Sequence, residues 1–278
     1  MIRILFIGDI VGGGGRRACA AHVESVVDRE RVDFVIANVE NAAGGFGLTA
    51  KVLEELERLP VDVWTTGNHV WDKKEGVPLL DAHPALLRPA NYPAGNPGRG
   101  WCVAETAAGI PVAVLNLQGQ AFMAPIDNPF RTADAALAEI ADRHPEVELV
   151  VVDMHAEATS EKQAMGWYLD GRVTAVLGTH THVPTADERI LPAGTAFQTD
   201  VGMTGPYESV IGMRADKVLE RFLYNTPRPF EPAKRDLQLR GALVEADETT
   251  GRAVSILSLI HISEPTRQLT QSRIPTSA

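Results

Sequence analysis

Short apolar runs alternate with amphipathic stretches through most of the chain. IRILFI (2–7) is rich in β-formers and ends at Gly-Asp, and a glycine cluster leads from it into a helix through ACAAHVESVVDRE (18–30). DFVIAN (33–38) predicts a second strand, TAKVLEELERL (49–59) a second helix and VDVWTT (61–66) a third strand. Residues 84–100 hold four prolines and three glycines and form a loop. WCVAET and IPVAVLNL then read as an antiparallel pair around Ala108–Gly109. A helix over 131–143, the strand VELVVVDM (147–154), a helix over 159–169 and the strand VTAVL (173–177) follow. LQLRGALVEAD and RAVSILSLI flank ETTG as a hairpin. Strands alternating with helices imply βαβ units and a largely parallel core. No internal repeat or interdomain linker interrupts residues 1–256, which read as one domain. Residues 257–278 abandon the periodicity and read as a disordered or foreign tail.

Polar residues fall where these strands end. Asp9 follows the first strand, Glu40 and Asn41 the second, and Asn68 and His69 the third. His155 follows the run at 147–154, and His180 and His182 follow 173–177. Ligand sites of open α/β sheets gather at the carboxyl ends of the strands. Carboxylates, imidazoles and amide oxygens suit borderline first-row ions. Each residue alone has a duller reading: Asp9 as a helix cap, Asn68 as a turn former, His155 as a satisfied core histidine. Five successive strand ends so furnished are hard to assign to coincidence. In LGTHTHVPT (177–185), an extended backbone would put both imidazoles on one side, to serve one metal ion or one ion each of a pair.

Composition narrows the classes. With 278 residues, 45% hydrophobic and 22% charged, the chain can bury a sizeable core and is not globally disordered. Its net charge of −10 argues against a groove tracking long nucleic acids, while leaving room for a small nucleotide at a local cation. Two cysteines are too few for a disulfide framework and suit a reducing compartment. MIRILFIGD is too short for a signal peptide, and no apolar run approaches a membrane span. A soluble, cytoplasmic protein is expected, its assembly into a homo-oligomer left open.

GDIVG, NVENAAGG, TTGNHVWD, HAEATSEK, GTHTHVPTAD and TDVGMTGP together resemble the motifs of the YmdB-like branch of the calcineurin-type metallophosphoesterases, over about residues 1–256. The resemblance implies a four-layer α/β/β/α sandwich with a mixed, largely parallel core and a dinuclear metal centre. Two departures from the wider superfamily, both typical of the branch, stand out. Asp9-Ile10-Val11 lacks the usual histidine, and Glu40 replaces the bridging aspartate. The resemblance implies Glu40 between the ions, with Asp9, Asn41 and His182 on one and Asn68, His155 and His180 on the other. His69 then resembles the general acid that protonates a departing alkoxide. Two ions, iron or manganese ahead of zinc, would activate a hydroxide against a small phosphodiester, with 2′,3′- or 3′,5′-cyclic nucleotides the leading class. Asp153 and Asp200 either orient ligand histidines or cap turns.

Weaker signals remain. GGGG (12–15) fails the G-x-G-x-x-G spacing, because Arg17 stands three after Gly14. Its glycines serve a close backbone approach or a plain turn, and Arg16 and Arg17 read as exposed. Thr159 and Ser160 read as helix caps. His22, His83 and His144 have no companion ligands. Two rival functions are an amidohydrolase-like metal enzyme, although its His-x-His belongs on a first strand, and a nucleotide-binding regulator, which would not need His69.

Overall fold

The computed structural model describes residues 1–227 and 229–262. The chain opens with β1 (Ile2–Ile7), the brief β2 (Asp9–Ile10) and the helix α1 (Gly12–Glu30). Strand β3 (Phe34–Asn38), helix α2 (Ala50–Leu56) and strand β4 (Val63–Thr65) complete two parallel crossovers. A short helix α3 (Leu79–Ala82) precedes the antiparallel pair β5 (Trp101–Glu105) and β6 (Pro111–Gln118). Helix α4 (Pro129–Arg143), strand β7 (Leu149–His155), helix α5 (Thr159–Leu169) and strand β8 (Ala175–Thr179) then alternate. Strands β9 (Arg189–Ile190), β10 (Ala196–Gln198) and β11 (Met203–Pro206) lead to helix α6 (Ala215–Tyr224). The hairpin of β12 (Leu237–Ala246) and β13 (Ala253–Ile262) closes the described chain.

These strands form two mixed sheets. One runs β2-β11-β12-β1-β3-β4, with β13 on the other edge of β12, and the second runs β5-β6-β7-β8-β10-β9. Side-chain alternation sorts each strand between two cores. Ile4 and Phe6 of β1 meet Val112, Val114 and Val151 of the second sheet, while Leu5 and Ile7 face Cys19, Val23 and Val26 of α1. On the far side, Val150, Val152 and Val176 pack on Ala133 and Ile140 of α4 and Met165 of α5. Strands covered on both faces read as continuous apolar runs, which is why β7 is buried at all seven positions. The layers are therefore helix, sheet, sheet, helix, as the resemblance implied. Among the described residues no helix is long and apolar enough to cross a membrane.

Four expectations need correction. The glycines 12–15 are not a plain turn between elements; they open α1. A β-carbon at Gly15 would collide with the Thr204 carbonyl oxygen, so α1 can lie this close to β11 only without side chains there. The domain does not stop at residue 256, because β13 pairs with β12 as far as Gln238↔Ile262. Residues 257–262 belong to that strand; the rest of the expected tail, 263–278, lies outside the described residues. Helix α5 starts without a side-chain cap. Arg16 is half-buried, its guanidinium 2.9 Å from Glu55 and donating to the Ala42 carbonyl at 2.6 Å.

Candidate metal centre at the strand ends

The eight residues singled out from the sequence lie together where the carboxyl ends of both sheets meet. Glu40 is central. Its backbone N–H donates to Asn38 Oδ1 at 3.1 Å, which fixes the turn leaving β3. Its side chain is buried, with Oε1 3.1 Å from both His155 Nε2 and Asn41 Nδ2. Oε2 accepts the backbone N–H of His69 at 3.0 Å. Gly67 permits this approach, since any β-carbon there would overlap the His155 ring and Glu40 Oε2. Burial opposes ionisation of Glu40, but the neighbouring His155 imidazole outweighs it and holds the carboxyl at about 2.

A buried relay sets the tautomer of His155. Thr179 Oγ1 lies 2.9 Å from His155 Nδ1 and 2.6 Å from Asp153 Oδ1. Asp153 is already held by Thr65 Oγ1 at 2.5 Å and Asn38 Nδ2 at 3.0 Å. The threonine has one proton and gives it to the carboxylate, so it accepts from His155 Nδ1–H. That turns Nε2 towards Glu40 and Asn68, where it offers a lone pair whenever it is not protonated. Asp153 thus acts on the histidine through Thr179 rather than by direct contact.

The loop after β8 is not extended, contrary to the expectation for His-x-His. His180 and His182 both take left-handed conformations, with φ of 95° and 65°. Thr181 between them anchors the loop: its N–H and Oγ1 donate to Asp200 Oδ2 at 3.2 and 2.7 Å. Lys162, buried on α5, donates to the same oxygen at 2.6 Å, and Gly202 N–H donates to Asp200 Oδ1 at 2.8 Å. Asp200 therefore holds the turn that presents the histidines and bonds neither imidazole. His180 Nε2 lies 3.0 Å from Glu157, which places its proton there and leaves Nδ1 bare, 3.1 Å from His155 Nε2. His182 Nδ1 donates to the Ile211 carbonyl at 3.0 Å, so Nε2 accepts from Asn41 Nδ2 at 3.2 Å.

Carboxylate, amide and imidazole atoms thus converge on one buried spot. Glu40, His155 and His180 present atoms all within 4.8 Å of one another, and Asn68 Oδ1 lies 3.0 Å from His155 Nε2. Asp9, buried in β2, accepts the His180 N–H at 3.1 Å through Oδ2, yet Oδ1 is buried without a hydrogen bond. Burial raises the Asp9 carboxyl above its usual range. Burial also opposes protonation of His155, but without a cation beside it Glu40 overcomes this and lifts the imidazole to about 9, so a metal ion would take the place of a proton on Nε2. Burial, with His155 beside it, lowers His180 to about 3. A buried carboxylate oxygen without a hydrogen bond, beside further acceptors in a dry interior, is costly unless a cation takes it up. The donor set suits a divalent metal ion.

His69 stands apart from these pairs. Its Nδ1 lies 2.8 Å from Asp72 Oδ2 and its ring meets Phe46 edge-on at 5.0 Å. With Glu40, His180 and His182 it lines a cleft of about 370 Å³. His83 and His144 pair instead with Glu57 and Glu146. Thr179, Thr181, Lys162 and Glu157 escaped the sequence reading, although HAEATSEK and GTHTHVPT contain all four.

The two-sheet sandwich, the imidazoles, carboxylates and amides at its strand ends and the chain's relatives together mark it as a metallophosphoesterase, a hydrolase of phosphoric esters. Within that class, a model described as YmdB-like protein matches residues 5–259, and the chain belongs to that family. It is 49% identical over 255 residues to a Bacillus subtilis 2',3'-cyclic-nucleotide 2'-phosphodiesterase, spanning 92% of this chain and 95% of that one. A crystal structure titled a hypothetical protein from Thermus thermophilus superposes with a TM-score of 0.86 at 43% identity, over 94% of this chain and 99% of that one. Another, titled a novel phosphatase of Mycoplasma pneumoniae, gives 0.87 at 34% identity, over 94% and 93%.

Proposed function

We propose that the chain is a dinuclear metal-dependent phosphodiesterase of small cyclic nucleotides, 2′,3′- or 3′,5′-cyclic. The observation that carries this reading is the buried cluster of carboxylate and imidazole groups, Glu40, His155 and His180, beside a cleft. The name of the Bacillus subtilis relative supports the choice of substrate. Glu40 would stand between two ions, with Asp9, Asn41 and His182 on one and Asn68, His155 and His180 on the other. When bound, such ions, iron or manganese ahead of zinc, neutralise phosphoryl oxygens and bring water to an acidity useful at neutral pH.

The protein's own groups do the rest. Thr179 and Asp153 keep the His155 proton on Nδ1, and Glu157 keeps that of His180 on Nε2. Asp72 orients His69 at the cleft. In the reaction a bond forms between water oxygen and phosphorus as the water loses a proton to solvent, the bond from phosphorus to a ribose oxygen breaks, and His69 delivers a proton to that oxygen.

The test is hydrolysis of cyclic nucleotides, nitrophenyl phosphodiesters and amides by metal-stripped protein resupplied with iron, manganese or zinc. Metal-dependent cleavage of the phosphodiesters is expected. His69→Ala should slow a cyclic nucleotide by roughly 10²–10⁴-fold and a nitrophenyl diester far less, because nitrophenolate leaves unaided. Binding without turnover, or cleavage of amides alone, would overturn the reading; equal losses on both diesters would remove His69 from the proton transfer.

A further inference from the structure

The cleft over the metal centre has a second character. Beside Glu40, His180 and His182 it is lined by Val218 and Phe222 of α6, by Phe230 beyond that helix, and by Met213. Val218 and Met213 are buried and anchor this wall. Phe222, in contrast, is 80% exposed and Phe230 37%. The guanidinium of Arg221 sits 4.8 Å from the centre of the Phe230 ring, fixing one of its faces. Phosphate and ribose need polar partners, which the Glu40–His182 side supplies. Two aromatic rings held open to water in the same cleft instead match a flat, apolar π-surface.

We propose that Phe222 and Phe230 form the nucleobase subsite, taking the base of a cyclic nucleotide by stacking while its phosphate lies on the metal centre. The proposal rests on the phosphodiesterase reading above and adds the feature that would set substrate preference. The base is favoured over a second copy of the chain because these rings share a cleft with the reacting groups, where a protein partner would bar the substrate. Stacking tolerates every base, so the subsite predicts a preference for nucleotides over base-free diesters and little discrimination among bases.

The experiment compares kcat/KM on a 2′,3′-cyclic nucleotide and on ribose 2′,3′-cyclic phosphate, which keeps the leaving oxygen and lacks the base. The metal-loaded parent protein, Phe222→Ala, Phe230→Ala and Phe222→Trp are each measured, together with their elution volumes on gel filtration. The nucleotide preference should fall by roughly 10–100-fold in the alanine variants, carried by KM, and return in Phe222→Trp. An unchanged ratio, or equal losses on both substrates, overturns the subsite while leaving the phosphodiesterase reading intact. A shift in elution with the ratio unchanged makes this face an interface between copies and likewise overturns it. If the parent protein cleaves neither substrate, the phosphodiesterase reading falls first and the subsite with it.

Discussion

Thr179 governs what His155 can do. Its hydroxyl spans the imidazole and Asp153, so the ring must offer Nε2 to Glu40 and Asn68. Thr179→Val keeps the shape and removes the acceptor. The variant should bind metal roughly 10–100-fold more weakly, as measured by competition with a chelator, with its far-ultraviolet spectrum unchanged. Undiminished metal affinity would show that the relay has no hold on the ring. The groups that meet at the strand ends could be picked out of the sequence because each stands just after an apolar run. The supporting groups could not. A threonine ending a strand and a lysine in a helix have many ordinary uses. Only the fold shows that Lys162 meets a carboxylate 38 residues away and Thr179 an imidazole 24 residues away.

Among the elements, the long apolar runs declared themselves and the short ones did not. β1, β3, β5, β6, β7 and β8 lie within a few residues of where periodicity put them. β2, β9 and β10 span two or three residues and exist through their neighbours. α6 was missed, its polar residues interleaved with Leu219, Phe222 and Leu223, which remain exposed. β13 follows the hairpin arm read at 252–260 and crosses the expected domain end at 256, because pairing with β12 depends on a partner strand rather than on local pattern. The glycines of α1 show competing effects most plainly. On propensity alone, Gly15→Ala should stabilise the helix by about 1 kcal/mol. The Thr204 carbonyl oxygen stands where the new methyl would go, and overpacking of this kind costs about 1–3 kcal/mol. Net destabilisation is expected in a urea titration, with α1 pushed from β11. A rise in stability would mean that the helix accommodates the methyl without strain.

Neither sheet carries the site alone. Asp9, Glu40 and Asn68 follow strands of the first sheet, while His155, His180 and His182 come from the second. The apolar layer between the sheets, Phe6 and Ile36 against Val114 and Leu177 among others, brings the two sets together. Formation of the centre therefore depends on correct stacking of both sheets, and bound metal should in turn stabilise the fold by mass action. A dinuclear centre also has a countable signature. Metal-stripped protein should show no turnover of a 2′,3′-cyclic nucleotide. Stepwise addition of manganese or iron, at protein concentrations far above the dissociation constants, should restore turnover and level off at two ions per chain. Turnover that levels off at one ion, or that persists in stripped protein at the level of the loaded enzyme, would contradict a two-metal phosphodiesterase.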